Sequence, residues 1–180
     1  MLSNFEPVDI EAPLLVSLVQ CLPAADKMDV VVQKATELGV SHIQPVTAKR
    51  SVVRLSGERM ERRVTHWRGI ASASCEQCGR NRVPTVSPII DLPQYLASMA
   101  AQNEPRLICL PQGGVRLRDL ARPEQAVTIL IGPEGGFEES EIKAAKVAGF
   151  RVLSLGPRVL RTETAGPAVL AALMGLWGDF

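Results

Sequence analysis

The stretch "VTILIGPEGGFEESEIKAAKVAGFRVLSLG", residues 127–156, decides the expected fold. It begins with an apolar run that contains β-branched residues and passes through a glycine-rich turn. A charged stretch of helical character follows, ends at Gly149, and leads into the second apolar run, RVLSLG. Glycine directly after the last helical residue is a common helix stop. The order strand, helix, strand is typical of a parallel β-α-β unit.

The same alternation continues on both sides of this stretch. Upstream, the predicted strands are PLLVSLVQCL (13–22), HIQPV (42–46), VPTVSPI (83–89) and RLICL (106–110). The other predicted helices are 26–39, 56–79, 92–100 and 168–178. Continuous apolar strands are typical of parallel sheets that are covered on both faces. We therefore expect one α/β domain with a mainly parallel sheet and helices on both faces.

The ends of the predicted helices carry recognisable signals. Asp26 is a good N-cap for the first helix, and Gly39 and Gly79 are predicted stops. Thr164 is predicted to cap the last helix, with Pro167 in its first turn. That helix, AVLAALMGLW, is apolar nearly all round, which indicates burial against a second subunit or, alternatively, deep burial within one chain.

Composition limits the class of protein. The chain has 180 residues, 46% hydrophobic and 22% charged, with a formal net charge of +1. Such a balance is ordinary for a globular protein and gives no global basic field, so an RNA site would have to be a local patch. The apolar runs are shorter than the ~18 residues of a membrane span. The N-terminus lacks a basic segment followed by an apolar one, so we expect no signal peptide and a cytoplasmic location.

Cys75 and Cys78 form a C-x-x-C pair late in a predicted helix. A zinc site needs a second pair of ligands, whereas the two histidines stand alone in the sequence. A redox pair is expected where a helix opens after a strand. We therefore predict no metal and free thiols.

Three turns follow apolar strands in the second half of the chain. They are LPQGG (110–114), IGPEGGF (131–137) and LGPRVLRTETAGP (155–167). Ligands of open parallel sheets bind where the strands end, so these turns are predicted to line one pocket.

The IGPEGGF turn has no lysine, and Glu134 would repel phosphate oxygens. The absence of the phosphate-loop pattern disfavours a triphosphate or a dinucleotide. A carboxylate beside exposed backbone groups suits a neutral or cationic ligand, such as an adenosine with a positively charged tail. The alternative is a plain turn in which Glu134 is solvated or caps the following helix.

Two clusters indicate a local basic surface. They are ASCEQCGRNR (73–82) and VTAKRSVVR (46–54). Their side chains suit phosphates and base edges, although a solvated charged helix is the plainer interpretation. The candidate RNA-binding residues are Lys49, Arg50, Arg54, Gln77, Arg80, Asn81 and Arg82.

Five ordered motifs together carry a resemblance. DKMDVVVQKATELGV, RSVVR, EQCGR, IGPEGGF and LGPRVLRTETA resemble the ribosomal RNA small-subunit methyltransferase E family of the SPOUT superfamily. The resemblance implies an S-adenosylmethionine-dependent enzyme that methylates N3 of a uridine in 16S ribosomal RNA within the small subunit. It also implies a deep C-terminal trefoil knot and a homodimer with the active site at the subunit interface.

The sequence departs from that family at its N-terminus, where members usually carry a PUA-like β-barrel. Residues 1–13 are predicted to be a remnant or linker of that domain, and residues 14–180 the SPOUT methyltransferase domain. This departure leaves two alternatives, a domain that binds the cofactor but is inactive on RNA, and a non-enzymatic RNA-binding module. Another nucleotide-dependent enzyme is disfavoured by the missing phosphate-loop lysine.

The chemistry of the implied reaction indicates candidate catalytic residues, and the resemblance itself implies the cofactor-binding ones. Uracil N3 must lose a proton, and Glu76 or Glu163 is the candidate acceptor. Arg80 or Arg161 is the candidate stabiliser of charge on the base oxygens. The implied cofactor-binding residues are Leu110, Ile131, Gly132, Pro133, Glu134, Gly135, Gly136, Leu155, Gly156, Leu160, Arg161, Thr162, Thr164 and Ala165.

Overall fold

A computed structural model describes residues 9–53, 56–99 and 104–180. The helices in these ranges are α1 (Lys27–Glu37), α2 (Glu58–Cys78), α3 (Leu92–Ser98), α4 (Glu139–Val147) and α5 (Thr162–Trp177). The strands are β1 (Leu15–Cys21), β2 (His42–Thr47), β3 (Thr85–Val86), β4 (Ile90–Asp91), β5 (Arg106–Cys109), β6 (Val115–Arg116), β7 (Ala126–Ile131) and β8 (Phe150–Ser154). A short 3-10 helix spans Leu117–Asp119.

The strands form one sheet in the order β3-β2-β1-β7-β5-β8-β6, and β4 extends the pairing of β2. Every pairing among these strands is parallel, which confirms the predicted sheet. The strand β7 lies between β1 and β5, with Leu18 opposite Ile129 and Leu107 opposite Ile129 on the other side. The carboxyl ends of β5, β7 and β8 therefore meet at one edge of the sheet.

Helices cover both faces of the sheet, as predicted. On one face, Met28 of α1, Trp67 of α2 and Leu170 of α5 pack in one core cluster with Leu18 and Ile129. On the other face, α3 and α4 supply Leu92, Leu96 and Ala145, which pack with Val19 and Leu130. Burial of each large apolar side chain stabilises the fold by about 1.5 to 3 kcal/mol. The two clusters cover the sheet from both faces.

The glycine stops of the sequence prediction are confirmed. Gly39, Gly79 and Gly149 follow α1, α2 and α4 and have φ angles of +82°, +82° and +87°. Asp26 stands at the N-cap of α1, but its side chain makes no capping hydrogen bond, and its Oδ1 accepts from Arg63 Nη1 at 3.1 Å.

The predicted strand VPTVSPI is wrong in extent. Within residues 83–89 only the two-residue strand β3 is in the sheet, because Pro84 and Pro88 have no N–H to donate to the ladder, and the equally short β4 follows at Ile90. The two-residue strand β6 was missed because so short a segment has no readable pattern.

The predicted start of the last helix is also wrong. The helix α5 begins at Thr162, so Thr164 lies inside it and does not cap it, and Pro167 lies beyond the first turn. The Thr162 hydroxyl donates to the Gly132 carbonyl and accepts from Gln20 Nε2. These contacts with two other parts of the chain fix the start of the helix earlier than local signals suggest.

No helix in the described ranges is long and apolar enough to cross a membrane.

Candidate functional site

A cavity of about 350 Å³ opens at the carboxyl ends of β5, β7 and β8. The three predicted turns converge there, as the sequence analysis expected. Among its lining residues are Leu110 from the first turn, Gly132 and Gly136 from the second, and Leu155 and Leu160 from the third. The volume lies within the range of about 300 to 1,000 Å³ that is usual for small-ligand pockets.

The cavity wall is mostly apolar, and the backbone approaches closely at Gly132. A Cβ atom added to Gly132 would lie 2.9 Å from the ring of Phe137, which is closer than contact distance allows. A larger residue at position 132 would therefore displace the Phe137 ring. An apolar wall beside bare backbone suits a flat ring with polar edges, such as a nucleobase.

Three ion-paired side chains lie together at one side of the cavity, where Lys27 and Glu134 line it and Glu163 adjoins them. The Lys27 ammonium, at the start of α1, lies 3.3 Å from Glu134 Oε1 and 3.2 Å from Glu163 Oε1. Glu134 Oε1 also accepts from the Ala24 N–H at 2.8 Å. The group thus joins the β1–α1 loop, the second turn and the first turn of α5.

Glu134 does not cap α4. That helix has its own capping box, in which Glu138 is the N-cap and its backbone N–H donates to Glu141 Oε2 at 2.8 Å. The alternative in which Glu134 serves the helix terminus is therefore wrong. Its carboxylate instead fixes the loop Ala24 to Lys27 beside the cavity.

The pKa shifts in this group have identifiable causes. Partial burial acts to raise the pKa of Glu134, but hydrogen bonds from backbone N–H groups and Lys27 outweigh it and leave the pKa below its ordinary value. The hydrogen bond to Glu163 is the main reason that the pKa of Lys27 lies above its ordinary value. Both shifts favour the ion-paired state.

Two buried side-chain oxygens have no hydrogen-bond partner among the described residues, Gln20 Oε1 and Glu163 Oε2. Gln20 Nε2 donates to Thr162 Oγ1 and to the Cys21 carbonyl, both at 3.0 Å. Gly166 lies against Gln20, since an added Cβ would be 3.1 Å from Gln20 Oε1. These contacts tie β1 and α5 together beneath the cavity.

The predicted cofactor-binding residues line this cavity except for two. Gly135 and Thr164 are not among the lining residues. Gly135 packs outside it against Arg50, whose Nη1 donates to the Gly135 carbonyl at 3.2 Å. Thr164 is an exposed residue of α5.

The other candidate catalytic residues divide into two groups. Arg161 lines the cavity, and Glu163 adjoins it through Lys27. Glu76 is exposed near the end of α2 and does not line the cavity. Arg80 is only 7% exposed, pairs with Glu11 at 2.7 Å, and donates to the carbonyls of Thr36 and Val40.

The contacts of Arg80 place it near the start of β2, whereas the cavity lies at the carboxyl ends of the parallel strands. The expectation that Glu76 and Arg80 act on a ligand in this cavity is therefore not met within one chain. Arg80 is held inside the fold by its partners. These contacts connect the end of α2 with Glu11 and with the segment between α1 and β2.

The candidate RNA-binding residues do not form one surface. Lys49 and Arg50 follow β2 and lie near the second turn, where Lys49 Nζ donates to Glu138 Oε2 at 3.0 Å. Gln77, Asn81 and Arg82 are exposed beside Arg80 at the opposite end of β2, about 20 Å away along the six-residue strand. Arg54 lies outside the described residues.

Two lining residues, Lys27 and Cys109, lie outside the three predicted turns and were missed. The predicted turns also contribute lining residues that were not named individually as candidates, namely Pro111, Phe137, Arg158 and Val159. Lys27 lies at the cavity because β1, the strand before it, pairs with β7. This pairing could not be predicted from the sequence.

Burial raises the pKa of the Cys109 thiol to about 12, so it is not a thiolate nucleophile. Within the described residues no group of three or more acidic, histidine or cysteine side chains is placed to hold a metal ion.

Comparisons with known proteins agree with this geometry. The family model for an RNA methyltransferase domain matches residues 10–174. Ribosomal RNA small subunit methyltransferase E of Buchnera aphidicola subsp. Schizaphis graminum is 34% identical over 95% of this chain and 69% of its own length. The protein of the same name from Bacillus subtilis is 32% identical over 91% of this chain and 66% of its own length.

A solved structure is similar throughout the chain. It is a ribosomal RNA small subunit methyltransferase E from Neisseria gonorrhoeae bound to S-adenosyl methionine, 42% identical with a TM-score of 0.90. The match covers 97% of this chain and 71% of that one.

Proposed function

Because the chain belongs to the ribosomal RNA small subunit methyltransferase E family, we propose that it transfers a methyl group from S-adenosylmethionine to N3 of a uridine in 16S ribosomal RNA. The observation that carries this proposal is the cavity at the carboxyl ends of β5, β7 and β8. Its lining includes most of the residues that the family resemblance implies for cofactor binding.

The residues present fit this cofactor. Leu110, Leu155 and Leu160 offer an apolar wall for the adenine ring, and the second turn offers backbone groups for its edges. Glu134 and Glu163 place negative charge where a cationic ligand would be favoured. The one lysine of the wall is already engaged by these carboxylates, so it is not free to hold a triphosphate.

When bound, S-adenosylmethionine supplies an electrophilic methyl group on a sulfonium. The chain's own residues must orient the uracil and deal with its N3 proton. Of the two candidate acceptors, we retain Glu163, because it adjoins the cavity and Glu76 does not. Arg161, which lines the cavity, is the matching candidate to stabilise charge on the base oxygens.

The rim of the cavity suits a polyanion. Arg158 and Arg161 are exposed, and neither forms an ion pair with another residue of the described ranges. Exposed arginines are the side chains that most often contact phosphates. Lys49 and Arg50 beside the second turn extend this positive rim.

We also propose a homodimer that packs through α5. The exposed residues on this helix include Ala172, Gly175 and Leu176, and Leu176 is 48% exposed in the single chain. A large apolar side chain left exposed on an otherwise buried helix fits a homodimer interface, which is more apolar than the rest of a protein surface. The expected domain boundary at residue 14 stays a prediction, although Glu11 already packs onto the domain through Arg80.

A methyl-transfer assay tests the proposal. The purified chain is incubated with small ribosomal subunits and methyl-labelled S-adenosylmethionine, and the modified position is mapped. We expect the label on uridine N3, and a rate that falls about 100-fold or more in Glu163→Gln because the proton acceptor is lost. Glu76→Gln is the matched control and keeps its rate.

Label on another atom, or an unchanged rate in Glu163→Gln, would contradict this assignment. Cofactor binding without any transfer to the subunit would instead support the alternative of a cofactor-binding domain that is inactive on RNA.

A further inference from the structure

The ion-paired group Lys27, Glu134 and Glu163 is a feature that the proposed reaction does not yet use fully. We call these three residues the charge triad. They come from α1, the second turn and α5, and their side chains are 32%, 29% and 19% exposed. Lys27 and Glu134 line the cavity, and Glu163 lies between lining residues in the sequence.

The charge triad is not electrically balanced. One ammonium is shared by two carboxylates, which leaves a formal charge of −1. Glu163 Oε1 contacts Lys27, whereas Glu163 Oε2 is buried and has no hydrogen-bond partner among the described residues. The uncompensated charge is therefore partly shielded from water and acts on the neighbouring cavity.

Other charges near the cavity are more exposed. Arg158 and Arg161 line it but are exposed to solvent, so water and salt screen them more effectively than the triad. The cavity thus has exposed positive charge at its rim and less exposed negative charge in its wall. This division separates the chemistry expected of an anionic RNA from that of a cationic methyl donor.

We propose that the charge triad sets how strongly the cavity prefers a cationic sulfonium ligand to its neutral sulfide product, and that Lys27 is the residue that limits this preference. The inference rests on the proposed function. In the reaction, the bond between carbon and sulfur breaks with its electron pair going to sulfur. The new bond forms to N3, and the N3 proton passes to the acceptor. The sulfur thereby loses its charge, so the attraction of the triad is present for the donor and absent for the product.

The ratio of two dissociation constants measures this effect. S-adenosylmethionine and S-adenosylhomocysteine differ only in the methyl group and in the positive charge on sulfur. A variant that merely distorts the cavity therefore lowers both affinities together. A unit charge about 8 Å from a cationic ligand changes the ratio about three- to tenfold at an effective dielectric constant of about 30 to 60.

Calorimetry at pH 8 and low salt compares the wild type with four variants. We expect Lys27→Met to raise the preference for S-adenosylmethionine about three- to tenfold, and Glu134→Gln to lower it by a similar factor. Lys27→Arg keeps the charge and restores the wild-type ratio. Lys34→Met is the matched control, since Lys34 lies on the same helix and pairs with Glu37 at 2.9 Å. The changes in the ratio for Lys27→Met and Glu134→Gln should be smaller in 0.5 M salt, because the screening length is then on the order of 4 Å.

Equal loss of both affinities in Lys27→Met would make Lys27 a purely structural residue and would overturn the inference. A ratio that stays constant in Lys27→Met and Glu134→Gln would overturn it as well. If the wild type binds neither adenosyl ligand, both the proposed function and this inference fail. If the wild type binds both ligands and the ratio does not respond to the variants, only this inference fails.

Discussion

Arg80 and Arg161 are chemically the same side chain, but the fold places them in different surroundings. Arg161 is exposed at the cavity, whereas Arg80 is buried against Glu11 and two backbone carbonyls. The sequence shows the residue type and cannot show the partner, because Glu11 lies 69 positions away along the chain. For the same reason, sequence reasoning identified Glu134 but could not find its contacts with Ala24 and Lys27.

The buried pair predicts a loss of stability in Arg80→Ala. Removing the guanidinium leaves Glu11 without its main partner, which we expect to lower the free energy of unfolding by about 3 kcal/mol. Urea unfolding measures this change. Arg82→Ala is the control, since the exposed Arg82–Asp9 pair contributes at most about 1 kcal/mol. If Arg80→Ala instead keeps the stability of the wild type and loses methyl transfer, a catalytic role of Arg80 is favoured.

The same pair predicts a dependence on pH. Partial burial acts to raise the pKa of Glu11, but bonds from Arg80 and from the Arg82 N–H outweigh it, so its pKa lies below the ordinary value of 4.5. A lowered folded-state pKa gives stability that is complete above the unfolded-state pKa and is lost as pH falls through the folded-state pKa. The difference in stability between wild type and Arg80→Ala should therefore shrink in acid below about pH 4.5.

The helices and turns were predicted unevenly. The glycine stops were reliable, as at Gly39 and Gly149, whereas the Asp26 side chain makes no capping bond. The start of α5 was not, because Thr162 is fixed by Gln20 and Gly132, which belong to other elements. The three cavity turns were predictable because all of them follow parallel strands.

The second turn gives a prediction at this scale. Gly136 lines the cavity and has a φ of +68°, whereas Gly113 has a φ of +76° and does not line it. An added Cβ meets no atom within 4 Å at either position. Valine at either position should therefore destabilise the fold by about 1 to 2 kcal/mol through backbone strain. Only the valine at position 136 would also fill space beside the cavity. We expect Gly136→Val to weaken S-adenosylmethionine binding more than tenfold by calorimetry, and Gly113→Val to retain it. Equal affinities in the two variants would contradict the placement of this loop.

The order of elements along the chain was predictable, but their arrangement in space was not. Apolar runs and helix stops identify the main strands and helices, whereas the place of β7 between β1 and β5 depends on contacts distant in sequence. Lys27 was missed for this reason, since it lies at the cavity only because β1 neighbours β7. The trefoil knot and the homodimer remain predictions.

The central claim concerns the whole molecule, namely that the cavity at the strand ends holds a cationic adenosyl methyl donor. Calorimetry of the purified chain with S-adenosylmethionine, ATP and NAD tests it most directly. The account predicts one S-adenosylmethionine site per chain and no comparable affinity for ATP or NAD, because Glu134 repels phosphates and Lys27 is already paired. Tighter binding of ATP or NAD than of S-adenosylmethionine would contradict it.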